Sequence, residues 1–146
     1  MTGVLVGVDI GTTRVKAVAT DPDLTARGEH AVVTPWRHEG ANADIDPFAL
    51  AQAVSAAAAG AAEAAGARAL AVGIAGMSET GVLLDRHDAP LAPALAWHDP
   101  RGDCDLVRSE LGDEAYRSIA GRPINAVSSL PKLLWLRRHV AAARQA

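Results

Sequence analysis

Hydrophobic and polar positions divide this chain into short apolar runs first and longer helical patterns afterwards. Residues 3–9, Gly-Val-Leu-Val-Gly-Val-Asp, are valine-rich and bounded by glycine, the pattern of a strand buried on both faces. Residues 14–21 alternate cationic with apolar positions and run into Asp-Pro-Asp, so they read as the returning arm of a hairpin. Residues 28–35 predict a third strand, and the polar, glycine-containing residues 36–46 a loop. Asp46 and Pro47 open a helix as N-cap and first helical residue. An alanine-rich run carries that helix to residue 65, where Gly66 suits the C-terminal cap. Alanine is the strongest helix former, and its small side chain allows close packing. Residues 69–76 predict another apolar strand and residues 80–85 a further one. Residues 89–103 are punctuated by proline and end in a polar cluster. From Pro100 onward the pattern is helical: 100–111 closed by Gly112, then 113–121, then 129–146 with Ser129 as cap. Strands first, then strands mixed with helix, then helices, with no internal repeat, describe an α/β chain.

Composition narrows the function classes. A length of 146 residues suggests one domain, since domains commonly span roughly 100–200 residues. With 49% hydrophobic residues the chain can bury a core, and disorder by composition is excluded. A net charge of −3 offers no basic face to nucleic acid or to an anionic membrane. Cys104 is the single cysteine, which fits a reducing compartment. The five histidines lack any His-x-x-x-His or Cys-x-x-Cys partner, which argues against a zinc site. The N-terminal stretch has no basic region before its apolar residues, and no segment has the roughly 20 apolar residues a membrane span needs. These features predict a soluble, cytoplasmic protein that binds neither nucleic acid nor membrane.

The first run ends in a carboxylate, Asp9, and turns at once through Gly11, Thr12 and Thr13. A carboxylate at the end of a buried strand is costly unless something charged or hydrogen-bonding meets it. A tight turn with backbone N–H groups and two hydroxyls can hold phosphate oxygens. Mg²⁺, which seeks oxygen and usually keeps several waters, would then stand between Asp9 and the phosphate. Lys16, on the returning arm, adds positive charge near the same place. The plainer alternative is a hairpin whose turn Asp9 merely caps. Other phosphate motifs are missing: there is no G-x-x-x-x-G-K-[ST], and no G-x-G-x-x-G after a strand. Residues 76–81, Gly-Met-Ser-Glu-Thr-Gly, do not make G-x-S-x-G, so Ser78 lacks a nucleophile-elbow context.

At "GVDIGTTRVKAVATD", residues 7–21, the chain resembles the first phosphate motif of the actin, sugar-kinase and heat-shock-chaperone superfamily. "AVGIAGMSETGVLLD", then "PLAPALAWHDPRGD", then "LPKLLWLRRH" resemble, in that order and spacing, the FGGY carbohydrate kinases. The likeness covers essentially the whole chain. It implies an incomplete RNase H-like α/β domain, a mixed sheet with flanking helices. The implied activity is ATP-dependent phosphorylation of a sugar or polyol hydroxyl. Carried over, the resemblance places Asp9, Gly11, Thr12, Thr13 and Lys16 at the ATP phosphates, with Asp9 reaching Mg²⁺ through water. It places Ser78, Glu79, Trp97, Asp99 and Arg101 beside the sugar. Glu79 matches a hydroxyl-binding glutamate of the glycerol kinases, which read "RET" where this chain has Ser78-Glu79-Thr80. Xylulokinases show Gln-Met-His-Gly, which residues 77–80 lack, so the sugar is left open. Trp97, Asp99 and Arg101 match a W-x-D-x-R pattern.

Chemistry supports that placement, because carboxylates accept from vicinal hydroxyls and guanidinium donates to them. Plainer readings stand beside it: Trp97 as core, Asp99 as cap of a helix starting at Pro100, Arg101 as a solvated first-turn residue. Met77 reads as packing, Trp135 as core on an amphipathic helix, and His98 as a bystander. In the family, the general base and the adenine pocket fall beyond position 146. The resemblance therefore implies that residues 1–146 are the N-terminal portion of the first domain, without the second, adenine-binding domain. No catalytic base is assigned within the chain, and the chain by itself is expected to be inactive. The alternatives are an ATPase module of the actin or chaperone type, which gives no reason for the Trp97–Arg101 cluster, or a non-catalytic binding fragment. Leu133, Leu134 and Leu136 on the last helix are expected to be exposed and to favour self-association, and a homo-oligomer is left open.

Overall fold

The computed structural model describes residues 3–145; position 146, the end of the last predicted helix, lies outside the described residues. The described residues form two compact units, one from residues 3–35 and 48–77 and the other from 36–47 and 78–145.

In the first unit, β1 (Gly3–Ile10) pairs antiparallel with β2 (Arg14–Thr20), which pairs antiparallel with β3 (Ala26–Val33). β6 (Arg68–Gly76) lies on the other side of β1 and parallel to it, so the sheet is mixed and runs β3-β2-β1-β6. Alternation sets the faces. Val4, Val6 and Val8 of β1 and Val15, Ala17 and Ala19 of β2 are buried, together with Ala57 and Ala61 of helix α1 (Pro47–Ala64). Leu5, Gly7 and Asp9, on the opposite face of β1, are exposed. The strand expected to be buried on both faces is thus covered on one.

Glycine and alanine let the helix sit close on the sheet. A Cβ on Gly28 would stand 2.5 Å from the carbonyl oxygen of Ala61, so only glycine fits where β3 meets α1. The helix ends as its sequence foretells. Gly66 has φ +60°, its N–H bonds to the Glu63 carbonyl, and Ala67 N–H reaches back to Ala62, the paired bonds of a Schellman cap.

In the second unit, residues read as a loop form a hairpin instead: β4 (Trp36–Glu39) and β5 (Asn42–Ile45), with Gly40 at φ +59° in the turn. The short β7 (Ala94–Leu95) adds to β5. The strand predicted over 80–85 does not form; one isolated bridge joins Leu84 to Pro90. Helix α2 (Cys104–Leu111) begins four residues later than expected, followed by α3 (Asp113–Ala120) and α4 (Ser129–His139). α4 stops at His139 rather than continuing, and a 3₁₀ turn follows at Ala142–Gln145. Its cap residue is Ser128, not Ser129, and the Ser128 side chain makes no cap bond. Leu95, Leu136, Ala92 and Ala143 form a small core, with Trp135 partly buried against it. Leu136 is buried and Leu133 and Leu134 are half-buried, so these three are not the exposed patch expected of them.

Candidate functional site

The phosphate-directed residues all lie in the first unit. β1 ends in Asp9 and Ile10, and the chain reverses at once because Gly11 N–H bonds to the Arg14 carbonyl at 3.1 Å. A Cβ on Gly11 would come to 2.9 Å from that carbonyl oxygen, so the turn demands glycine. Buried Thr34 braces it: its hydroxyl donates to the Gly11 carbonyl at 2.7 Å and its N–H to the Thr13 carbonyl at 3.1 Å. Sequence reading missed Thr34, whose signal is a polar residue just past the end of β3. Asp9 and Lys16 are register partners across β1 and β2, which puts them on one face with Cβ atoms about 5 Å apart. Asp9, Thr12, Thr13 and Lys16 are all exposed. Carboxylate, ammonium and two hydroxyls therefore share the open end of this sheet.

The sugar-directed residues all lie in the second unit. Glu79 occupies the left-handed region at φ +62°, an uncommon conformation for a residue with a side chain. Its carboxylate is fully engaged: Ser129 donates its N–H at 2.6 Å and its hydroxyl, and Arg122 forms an ion pair. The Ser129 hydroxyl leads the groups that hold the Glu79 carboxyl below the usual glutamate range, against burial, and Arg122 adds to it. The glutamate thereby satisfies the first N–H of α4, the duty an N-cap would perform. Ser78 beside it is exposed. Thr80 Oγ1 is the buried side-chain polar atom without a hydrogen-bond partner among the described residues.

Asp99 is wholly buried and accepts from four directions. Ala43 N–H donates at 2.7 Å, Arg101 N–H at 2.8 Å, and the Arg101 guanidinium through Nε at 3.0 Å and Nη2 at 2.7 Å. Burial pushes its carboxyl up, but the guanidinium and the two N–H groups outweigh it and hold the value below the usual range. Arg101 also reaches Asp44 at 3.1 Å and lies 5.3 Å from the centre of the Trp135 ring. Asp99 closes its own turn and anchors β5; it does not cap a helix at Pro100, because none starts there. Trp97 is 40% exposed and so is not core. Its indole stands edge-on to His98 at 5.1 Å, and His98 stands edge-on to Trp36 at 6.1 Å.

Lys132 was also missed. It is 4% exposed, and its Nζ donates to the carbonyls of Trp97 (2.6 Å) and Val127 (3.1 Å). The available signal was a lone cation between Pro131 and Leu133 in an apolar helix start. A cavity of about 220 Å³, mostly apolar, opens beside Glu79, Ser129 and Lys132. Among the described residues no three His, Cys, Asp or Glu side chains cluster to hold a metal, and no helix is long and apolar enough to cross a membrane.

The N-terminal domain of the FGGY family of carbohydrate kinases matches residues 4–146. A xylulose kinase of Klebsiella pneumoniae is 30% identical over 94% of this chain and 29% of its own length. A glycerol kinase of Methylobacterium radiotolerans is 30% identical over 94% of this chain and 29% of its own length. The crystal structure of a xylulose kinase from Rhodospirillum rubrum superposes with TM-score 0.86 at 27% identity, covering 98% of this chain and 30% of that one. The chain thus spans about three tenths of the length of the relatives it matches. The fold they share is the expected RNase H-like α/β class of the actin and sugar-kinase superfamily, present here as a partial domain.

Proposed function

The chain belongs to the FGGY family of carbohydrate kinases, and we propose that it carries the phosphate turn and part of the sugar wall of an ATP-dependent kinase acting on a sugar or polyol hydroxyl. The observation that carries this reading is the shared open face of Asp9 and Lys16 beside the Thr12-Thr13 turn. Phosphoryl transfer depends mainly on positioning and charge neutralisation, and these are the groups that supply both.

ATP and Mg²⁺ fit this donor set. An exposed carboxylate outside any cluster of three metal-ligating side chains among the described residues suits an ion that keeps most of its waters and takes its other oxygens from phosphate. Asp9 would hold the ion through water, while Lys16, the Thr12 and Thr13 hydroxyls and the turn at Gly11 would meet the phosphate oxygens. When bound, Mg²⁺ supplies neutralisation of the phosphate charge. On the sugar side, the exposed Trp97 indole offers a flat apolar wall to a sugar's C–H face. Glu79 and Ser78 are the polar groups assigned to the sugar's hydroxyls, and Asp99 and Arg101 fix the turn that presents the indole. On this reading the general base would come from a later part of the first domain and the adenosine site from a second domain. Residues 1–146 accordingly act as the first part of the first domain and do not turn over alone.

Two measurements test this. The 146-residue chain, incubated with Mg²⁺-ATP and a panel of polyols, ketoses and aldonates, is expected to show no sugar-dependent ATP consumption. Stoichiometric phosphorylation by a monodisperse monomer would overturn the partial-site reading. In the kinase that contains this chain, Asp9→Ala is expected to lower kcat on the order of a hundredfold or more. Because Asp9 is exposed, the same change should leave stability within about 0.5 kcal/mol. Near-normal kcat at saturating Mg²⁺-ATP would remove Asp9 from the phosphate site.

A further inference from the structure

The buried ammonium of Lys132 has no part in the reading above, yet it touches both arms of the sugar wall. α4 places it three residues after Ser129, the residue that holds Glu79. Its Nζ spans two backbone carbonyls from separate loops, that of Trp97 at 2.6 Å and that of Val127 at 3.1 Å. Val127 stands two residues ahead of Ser129. The charged groups around it are Asp99 and Glu79, which favour the ammonium, and Arg122, which opposes it; burial draws its pKa below the usual lysine range. Burying an ammonium is costly, and a well-packed apolar side chain of similar size often serves stability as well or better. Stability therefore gives little reason for a lysine here, whereas a rigid link between two carbonyls needs a donor with several protons and a long reach.

We propose that Lys132 is a positioning residue whose ammonium clamps the Trp97 carbonyl to the Val127 carbonyl, fixing the indole wall in relation to the Ser129–Glu79 anchor. This rests on the reading of Trp97 and Glu79 as sugar-facing, and its test separates the two ideas. The chain has three tryptophans, Trp36, Trp97 and Trp135, so 5-fluorotryptophan labelling gives three ¹⁹F resonances, assignable by single Trp→Phe changes.

In Lys132→Met, which keeps the length and removes the donor, the Trp97 resonance is expected to shift or broaden while that of Trp36 holds its position. Lys132→Gln retains one donor group and should displace the Trp97 signal less; it also decides the matter if the Met variant does not fold. In the kinase that contains the chain, Lys132→Met is expected to raise KM for the sugar about tenfold, with KM for Mg²⁺-ATP unchanged. A Trp97 resonance unmoved in whichever variant folds, with only the unfolding temperature lowered, overturns the clamp. A shifted Trp97 resonance with equal losses toward sugar and ATP keeps the clamp and overturns the sugar-facing reading.

Discussion

Asp99 keeps a negative charge out of water only because Ala43, Arg101 and the Arg101 guanidinium meet it from three sides. Removing the carboxylate leaves the guanidinium with Asp44 and the Trp135 ring, and leaves the Ala43 and Arg101 N–H groups without their acceptor. Leaving a buried donor unsatisfied costs about 1–3 kcal/mol, so Asp99→Ala should lower the denaturant midpoint. Arg37→Ala, which removes the exposed end of the same network, should cost under about 1 kcal/mol. The depressed carboxyl fixes the pH dependence. Its stabilisation is fully present above the ordinary aspartate value of 3.8 and is lost as pH falls through the lower folded value. Glu79, held down by Ser129, acts in the same sense from its ordinary value of 4.5. Unfolding followed from pH 6 downward should therefore steepen below about pH 4.5, and Asp99→Asn should flatten the lower part of that limb. An unchanged acid limb in Asp99→Asn would show that its carboxylate is not held down in the folded state.

Between elements, α1 meets β3 through backbone at Gly28. Gly28→Val would drive a side chain against the Ala61 carbonyl and the Ala65 nitrogen, both backbone atoms near 2.5 Å. Overpacking of this kind costs about 1–3 kcal/mol. Gly73→Ala on β6, where nothing lies within 4 Å, should leave the denaturation midpoint nearly unchanged. Equal effects in the two variants would disprove the close contact. The elements β1, β2, α1 and β6 were legible in the sequence as apolar or alanine-rich segments ended by turn residues, although β1 is covered on one face and not two. The hairpin β4–β5 was not. Only Ala43 and Ile45 of its eight residues are buried, so its polar surface hid the alternation. Residues 80–85 have a strand's composition, but Pro90, across from Leu84, lacks the N–H group a ladder needs. α2 starts late because Asp99 commits the Arg101 N–H to a turn. Glu79, Trp97, Asp99 and Arg101 could be named from local motifs. Their partners Ser129, Lys132, Ala43 and Asp44 lie 50, 35, 56 and 57 positions away, and no local spacing reveals such pairs.

For the molecule as a whole, the unsatisfied surface is β6. Among the described residues it pairs only with β1, and Leu70, Val72 and Ile74 are 60%, 49% and 62% exposed. An edge strand normally carries charge, proline or a bulge that blunts further pairing. β6 has a single charge, Arg68 at its start, and no proline. A second copy meeting it antiparallel, with Val72 opposite Val72, would set Leu70 against Ile74 and bring no charge into the centre. Leu133 and Leu134 of α4, expected from the sequence to drive association, are instead half-buried, and Leu136 is buried in a core with Leu95. The 146-residue chain should therefore self-associate through β6. Light scattering and sedimentation velocity should show oligomers for the unmodified chain and for Leu134→Lys, and a shift toward monomer for Val72→Lys, which places a charge at the centre of the edge. A monomer produced by Leu134→Lys while Val72→Lys stays associated would move the contact to α4 and mean that the β6 edge, though open, is not where copies meet.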